Sequence, residues 1–355
     1  MIIADLIKIF IPAVAAFAIG IAITPLVTHY LYKYKVWKKR PGKEALDGTQ
    51  AVEFNKLHQD AEARTPRMGG IVIWASTALT TFVLFILALM FPDTFFEKLN
   101  FLSRGQTWIP LFTLLVGAWV GFLNDLRDVT TPDARGLSLK TRLVVVALVS
   151  GFIGWWFYEK LDVVSIAIPF DGALMLGWLI IPAFMLVSIV LYASGVIDGV
   201  DGLSGGVFTS IFAAYAIIAF EQSQIDLAAF CAVMAGALLA FLWFNIPPAR
   251  FWMTETGTMG ITLTIAVIAF MTDSLGEGVG ISALPIIGAL LVITVLSNIV
   301  QIISKKIRGG KKVFRVAPLH HHFEAIGWPA YKVTMRYWVL SVMCAIIGTV
   351  FAIVG

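Results

Sequence analysis

The chain has 355 residues, of which 59% are apolar and only 14% charged, and its mean hydropathy is +0.88. A soluble domain carries roughly 25% charged residues. This composition therefore excludes a soluble enzyme and defines an all-α integral membrane protein, because the apolar runs are long and continuous and not the short alternating segments of a barrel. The net charge of +4 resides in residues that flank apolar runs, where bilayer orientation accounts for it and no nucleic-acid partner is implied.

In chain order, the first apolar run follows Lys8 and continues to about Tyr32. That exceeds the 7–15-residue apolar region of a signal peptide, so it reads as a membrane span. Ten spans are expected, at 8–32, 69–91, 108–124, 142–158, 175–194, 204–220, 226–246, 257–273, 280–304 and 335–354. Several fall short of the roughly 20 residues that cross a bilayer core as helix, which predicts tilted or broken helices. Pro182 is expected to kink the fifth. No internal repeat and no soluble segment interrupts residues 1–355, so the chain reads as one polytopic membrane domain. Cys231 and Cys344 lie inside apolar runs and read as small core residues.

Ten spans put both termini on one side. The loops 33–68, 125–141, 195–203, 247–256 and 305–334, with their span ends, carry 22 of the 26 Lys and Arg residues. The positive-inside rule places these loops in the cytoplasm and both termini outside.

Four polar clusters fall on that basic side. Asn124-Asp125-Leu126-Arg127-Asp128 ends the third span. Its two aspartates share a face if the helix continues one more turn; a solvated helix end is the plainer reading. Asp198-Gly199-Val200-Asp201-Gly202 interleaves acids with glycines, which suits a tight backbone near phosphate or a metal ion better than an ordinary turn. Asn245 through Gly257 places Thr254, Glu255 and Thr256 at a helix start, where capping alone would explain them. His320-His321-His322-Phe323-Glu324 is costly beside a bilayer. Adjacent residues rarely all reach one ion, so phosphate contact or loop positioning is favoured there over a zinc site. Carboxylates gathered at one membrane face suit Mg²⁺, which keeps waters and phosphate oxygens as ligands. Phosphoryl transfer from a soluble, charged donor to a lipid phosphate is the natural chemistry. A transporter would instead place its ionisable groups near the bilayer midplane.

Pro318-Leu319-His320-His321-His322-Phe323-Glu324, with Gly327-Trp328 and Arg336-Tyr337-Trp338 behind it, resembles the bacterial phospho-N-acetylmuramoyl-pentapeptide-transferases of the polyprenyl-phosphate N-acetylhexosamine-1-phosphate transferase superfamily. Thr65-Pro66-Arg67-Met68-Gly69-Gly70, Asp198 through Leu203 and Asn245 through Gly257 follow the same family in order. The resemblance implies that phospho-MurNAc-pentapeptide moves from its UDP carrier to undecaprenyl phosphate. The products are lipid I and UMP, Mg²⁺ is the cofactor, and the setting is peptidoglycan synthesis in the bacterial cytoplasmic membrane. It implies a homodimer too, although no span presents an unmistakable dimerisation face.

By the same resemblance, Asp125 corresponds to a candidate base or phosphate-site group and Asp198 to an active-site aspartate. Glu255 corresponds to the magnesium ligand, with Asp198 as a second candidate. Arg142 corresponds to an active-site lysine, and His320, His321 and His322 to the histidine motif. Gly199, Val200, Asp201, Asn245 and Trp252 correspond to the uracil pocket, and Thr65 to a substrate-binding position. The chain departs from the family at Asn124, Asp128, Glu255, Thr254, Tyr192, Gly195 and Arg67. There the family has aspartate, lysine, aspartate, glycine, two asparagines and threonine. These departures keep two alternatives in view: transfer of another UDP-N-acetylhexosamine, and a non-catalytic binding homologue.

Overall fold

The computed structural model describes residues 2–39, 42, 52–131, 136–273 and 275–355, with backbone alone at 52–54, 57 and 59. Arg40, Lys43 and Arg135 of the basic loops lie outside the described residues. The helices are α1 (Ile2–Lys33), α2 (Val52–Glu62), α3 (Ile71–Met90), α4 (Phe95–Leu99), α5 (Trp108–Thr130), α6 (Leu139–Leu161), α7 (Ile180–Ser194), α8 (Leu203–Glu221), α9 (Ile225–Asn245), α10 (Glu255–Met271), α11 (Gly280–Ile287), α12 (Ala289–Ile307), α13 (Leu319–Ala325) and α14 (Ala330–Val354). A short antiparallel hairpin, β1 (Ser165–Ala167) with β2 (Ala173–Met175), pairs Ile166 with Leu174.

Among the described residues nine segments are long and apolar enough to cross a membrane, and α10 is a shorter apolar helix of 17 residues. Their outer faces carry large exposed apolar side chains such as Leu148, Leu186, Trp243, Leu340 and Val350, the expected surface toward lipid. In α10 every residue from Thr256 to Met271 is buried. At 1.5 Å per residue it spans only about 26 Å. It can be short because protein, not lipid, surrounds it.

Two expectations need correction. Pro182 does not kink its span: it lies in the first turn of α7, directly after a 3₁₀ turn at Gly177–Leu179. A proline there gives up no intrahelical hydrogen bond. The ninth span is not one helix but α11 and α12, separated at Gly288, with Pro285 in the last turn of α11.

α5 and α10 meet backbone to backbone. A Cβ on Gly117 would fall 2.7 Å from Gly260 Cα, one on Gly260 2.6 Å from the Leu114 carbonyl, and one on Gly121 against the Glu255 carbonyl. Small residues permit this approach in a bundle where lipid supplies no hydrophobic drive between helices. The consequence is positional: Asp125, one turn beyond Gly121, is held against the first turn of α10.

The two ends of the bundle differ. At one end lie both termini and the hairpin: Lys8 pairs with Asp226 at 2.5 Å, and Phe170 N donates to the Gly355 carbonyl at 3.2 Å. At the other lie α2, α13 and the connections 65–70, 195–202 and 246–254. All four polar clusters converge there.

Candidate functional site

The site is built around the N-terminus of α10. Asp125 is fully buried, and one of its oxygens, Oδ2, accepts three hydrogen bonds: from Thr254 Oγ1 (2.5 Å), Thr256 N (2.8 Å) and Thr256 Oγ1 (2.7 Å). A carboxylate from α5 thus caps α10, answering orphan N–H groups and the positive end of its dipole. Asp125 Oδ1 faces Arg67 Nη2 and Asn124 Nδ2, both at 3.4 Å. The Arg67 guanidinium also reaches Asp128 Oδ2 at 3.4 Å, because α5 continues past Asp128 and keeps both aspartates on one face. Burial opposes the charge of Arg67, but Asp125 and Asp128 more than offset it and raise its pKa above the ordinary guanidinium value.

Asn124 is partly occupied elsewhere: its Oδ1 accepts from Leu137 N at 2.8 Å, tying the 136–138 connection to α5. Thr254 holds a backbone conformation rare for any side chain, φ 54° and ψ −169°. Such a conformation costs of the order of 1–3 kcal/mol and persists only where its surroundings over-determine it. Here the Thr254 hydroxyl also accepts from Met68 N (3.1 Å), while its own N–H donates to Asp198 Oδ2 (2.8 Å). Gly69 N and Gly70 N donate to the carbonyls of Trp252 and Met253, so the Thr65–Gly70 segment is laced to the same turn. Thr65 itself is half-buried at the end of α2, its N–H on the Ala61 carbonyl at 2.9 Å.

Glu255 opens α10. Arg142, from the first turn of α6, pairs with Glu255 Oε1, and the Tyr192 hydroxyl donates to the same oxygen at 3.4 Å. Glu255 Oε2, Arg142 Nε and Arg67 Nε are buried without a hydrogen-bond partner. Buried polar atoms are nearly always satisfied in native proteins, so unspent donors and acceptors of both signs mark where a charged ligand would be received.

Asp198 ends the turn after α7. Its Oδ1 accepts from Ser204 Oγ at 2.7 Å. Gly199 joins the second cluster to the fourth: a Cβ there would fall 2.8 Å from His320 Nε2 and against His321 Nε2. The two imidazoles lie edge to face at 4.4 Å and close over the Gly199 backbone. His322 does not join them. It turns the other way, accepts from Arg315 N at 3.2 Å and packs on Phe314, so it braces the 313–315 connection. The adjacency of three histidines hid this split, which follows from their successive rotation around α13.

Asp201 and Trp252 bond to each other, and Asn245 braces the backbone on either side of them. Trp252 Nε1 and Ala249 N donate to the Asp201 carboxylate at 2.9 and 3.0 Å. Asn245 accepts from Gly202 N and donates to the Phe251 carbonyl. Val200 is buried against the core. Together they fix the walls of the connection that ends at Glu255.

In the sequence Arg67 and Tyr192 stand out only as departures from the family, Ser204 only as part of the Asp198–Gly206 run, and His58 not at all. An arginine next to Gly69-Gly70 and a tyrosine within an apolar run were the available signals. His58 had none, since its partner is 266 residues away.

A family model described as Glycosyl transferase family 4 matches residues 107–273, which hold Asp125, Arg142, Asp198 and Glu255. The chain is thus a membrane-embedded transferase. It is similar over nearly its whole length to proteins named phospho-N-acetylmuramoyl-pentapeptide-transferase. One from Anoxybacillus flavithermus is 34% identical over 337 residues, 94% of each chain. One from Bacillus anthracis is 33% identical over 347 residues, and one from Clostridium perfringens 31% over 343, each covering 96% of both chains. The chain belongs to the phospho-N-acetylmuramoyl-pentapeptide-transferase family.

Proposed function

We propose that this chain transfers phospho-N-acetylmuramoyl-pentapeptide from UDP-MurNAc-pentapeptide to undecaprenyl phosphate, giving lipid I and UMP. It would do so on the cytoplasmic face of the bacterial inner membrane, with the termini outside. The observation that carries this reading is the convergence of Arg67, Asp125, Asp128, Arg142, Asp198 and Glu255 at one end of the bundle. Basic loops at that end and a lipid-facing perimeter suit one soluble anionic substrate and one lipid substrate.

The acceptor is a phosphate monoester, whose second pKa is about 6. Its oxygen is therefore ionised at neutral pH and can attack the sugar-linked phosphorus directly. The new P–O bond forms as the bond bridging the two phosphates of the nucleotide breaks, and UMP leaves with the electron pair. Asp125, with all its hydrogen-bonding capacity directed at α10, Arg67 and Asn124, acts as a positioning residue in this scheme and not as the proton acceptor. Arg67 and Arg142 bring fixed positive charge to the developing phosphate charge. His320 and His321 flank the Gly199 turn, where they can contact the donor.

Magnesium fits the donor set. Asp125, Asp128 and Glu255 face two guanidinium groups, Asp198 is tied to the same turn through Thr254 N, and Glu255 Oε2 is buried without a donor. Glu255 and Asp198 would hold the ion, which when bound supplies Lewis-acid stabilisation of phosphate charge.

The test is UMP release by the purified protein in detergent with both substrates, with and without Mg²⁺. Mg²⁺-dependent release supports the reading. Release only with another UDP-N-acetylhexosamine, or none from folded protein, overturns it.

A further inference from the structure

A second set of ligating side chains lies beside the site and shares one residue with it: His321, whose Nε2 faces Gly199, turns its Nδ1 toward Glu324 and His58. His58 on α2 places Nε2 3.1 Å from Glu324 Oε2, and His321 on α13 places Nδ1 2.7 Å from the same oxygen. The two imidazoles are 5.0 Å apart, and the three donor atoms all lie within 4.8 Å of one another. The side chains of His321 and Glu324 are 3% and 7% exposed, and that of His58 is 17%. The donors thus surround a point that protein shields on most sides.

We propose that His58, His321 and Glu324 form a binding site for a borderline-soft divalent cation of the zinc type. Two imidazoles with one carboxylate are a ligand set that zinc takes, with a fourth position left for water, and magnesium does not favour imidazole. Bonds of about 2.0–2.1 Å require neighbouring ligand atoms roughly 3.3 Å apart. The observed 2.7 and 3.1 Å to Glu324 Oε2 need a slight outward shift, and the two ring nitrogens, which lie within 4.8 Å of each other, must settle at the same spacing. His321 and Glu324 stand three residues apart on one helical turn, a spacing that directs both inward toward one ion. His58 completes the set from a distant segment, and this is why three adjacent histidines were a poor guide to it.

The site has a structural consequence. α2 is fixed at its end by Glu62, which accepts from Gly42 N at 2.7 Å and pairs with Lys38 at 3.4 Å. An ion at His58 would pin the middle of α2 to α13. With Nδ1 on the ion, His321 must carry its remaining proton on Nε2, the atom that lies against Gly199. Zinc would thereby tie α2 to the wall of the candidate site. The proposal rests on this donor set alone, so zinc binding and transferase activity can each fail without the other.

The test uses the full chain in detergent, stripped with chelator and held in excess Mg²⁺. Bound zinc per chain is measured after gel filtration, and Co²⁺ is added separately to read ligand geometry from its visible spectrum. One zinc per chain is expected, with a Co²⁺ spectrum of low coordination number. His58→Gln keeps a donor to Glu324 but is a poor ligand. It should lose zinc affinity by more than about 100-fold, beyond the 10–100-fold effect of outer-shell partners, with thermal unfolding unchanged. His58→Ala should do the same, and His322→Ala should keep the zinc. Absence of stoichiometric zinc, equal binding by wild type and His58→Gln, or equal loss in His322→Ala would each overturn the proposal.

Discussion

The two ends of α10 each carry a buried carboxylate, and they use it in opposite ways. Beyond the C-terminus, Asp273 accepts from Ala167 N at 2.8 Å and Ile281 N at 3.0 Å. Gln224 and Gln222 donate to the last carbonyls, Met271 and Thr272, at 2.9 Å each. Backbone and amide partners there lock the hairpin, α8, α10 and α11 together. At the N-terminus, Asp125 performs the same capping duty, but the neighbouring Glu255 retains an oxygen with no donor, and the two guanidiniums retain buried N–H groups. The difference teaches that burial of an acid does not distinguish a clamp from a site. Unpartnered atoms on several packed charges of both signs do, whereas the unpartnered Gln222 and Gln224 amide oxygens at the other end are neutral.

The sharpest way to break this comparison is to remove the unspent oxygen. Glu255→Ala should lower UMP release by about 10³-fold or more, since metal positioning contributes several kcal/mol in the transition state. The protein should still elute as a folded species. Near wild-type release would remove Glu255 from the proposed metal site.

Next in size is the close approach that sets the site. Gly121→Ala forces its Cβ into the Glu255 carbonyl. It should destabilise by about 1–3 kcal/mol, as overpacking does, and reduce kcat by separating Asp125 from α10. A variant with unchanged thermal stability and rate would contradict the stated packing.

Arg67→Ala leaves Asp125 and Asp128 without their shared cation. Breaking a buried pair from one side typically costs about 3–5 kcal/mol; with Arg67 still partly exposed, the lower part of that range or less applies. Arg67→Ala combined with Asp128→Ala should recover part of the loss, and a double-mutant cycle in thermal stability measures the coupling. Strict additivity would show that the pair is not coupled.

At the other end, Asp273→Asn should cost about 1–3 kcal/mol through one unsatisfied backbone donor. The rate per folded molecule should stay unchanged. A fall in kcat with stability intact would erase the contrast between the two ends. His322→Ala should have the smallest effect, a local loosening of 313–315 seen as faster proteolysis with UMP release retained.

The sequence was sufficient for the membrane class and the ten apolar segments, because span length is a one-dimensional property set by the bilayer. It was sufficient as well for the shared face of Asp125 and Asp128, since helical periodicity dictates it once α5 continues. Tertiary structure alone decided which acid is saturated and which is open, that His322 parts from His320 and His321, and that Pro182 starts a helix and does not bend one. It alone brought Arg67 to α5 and His58 to Glu324. Those pairings depend on backbone approach at Gly117, Gly121 and Gly199 and on where distant segments pack, and contacts across 58 or 266 residues leave no local pattern to read.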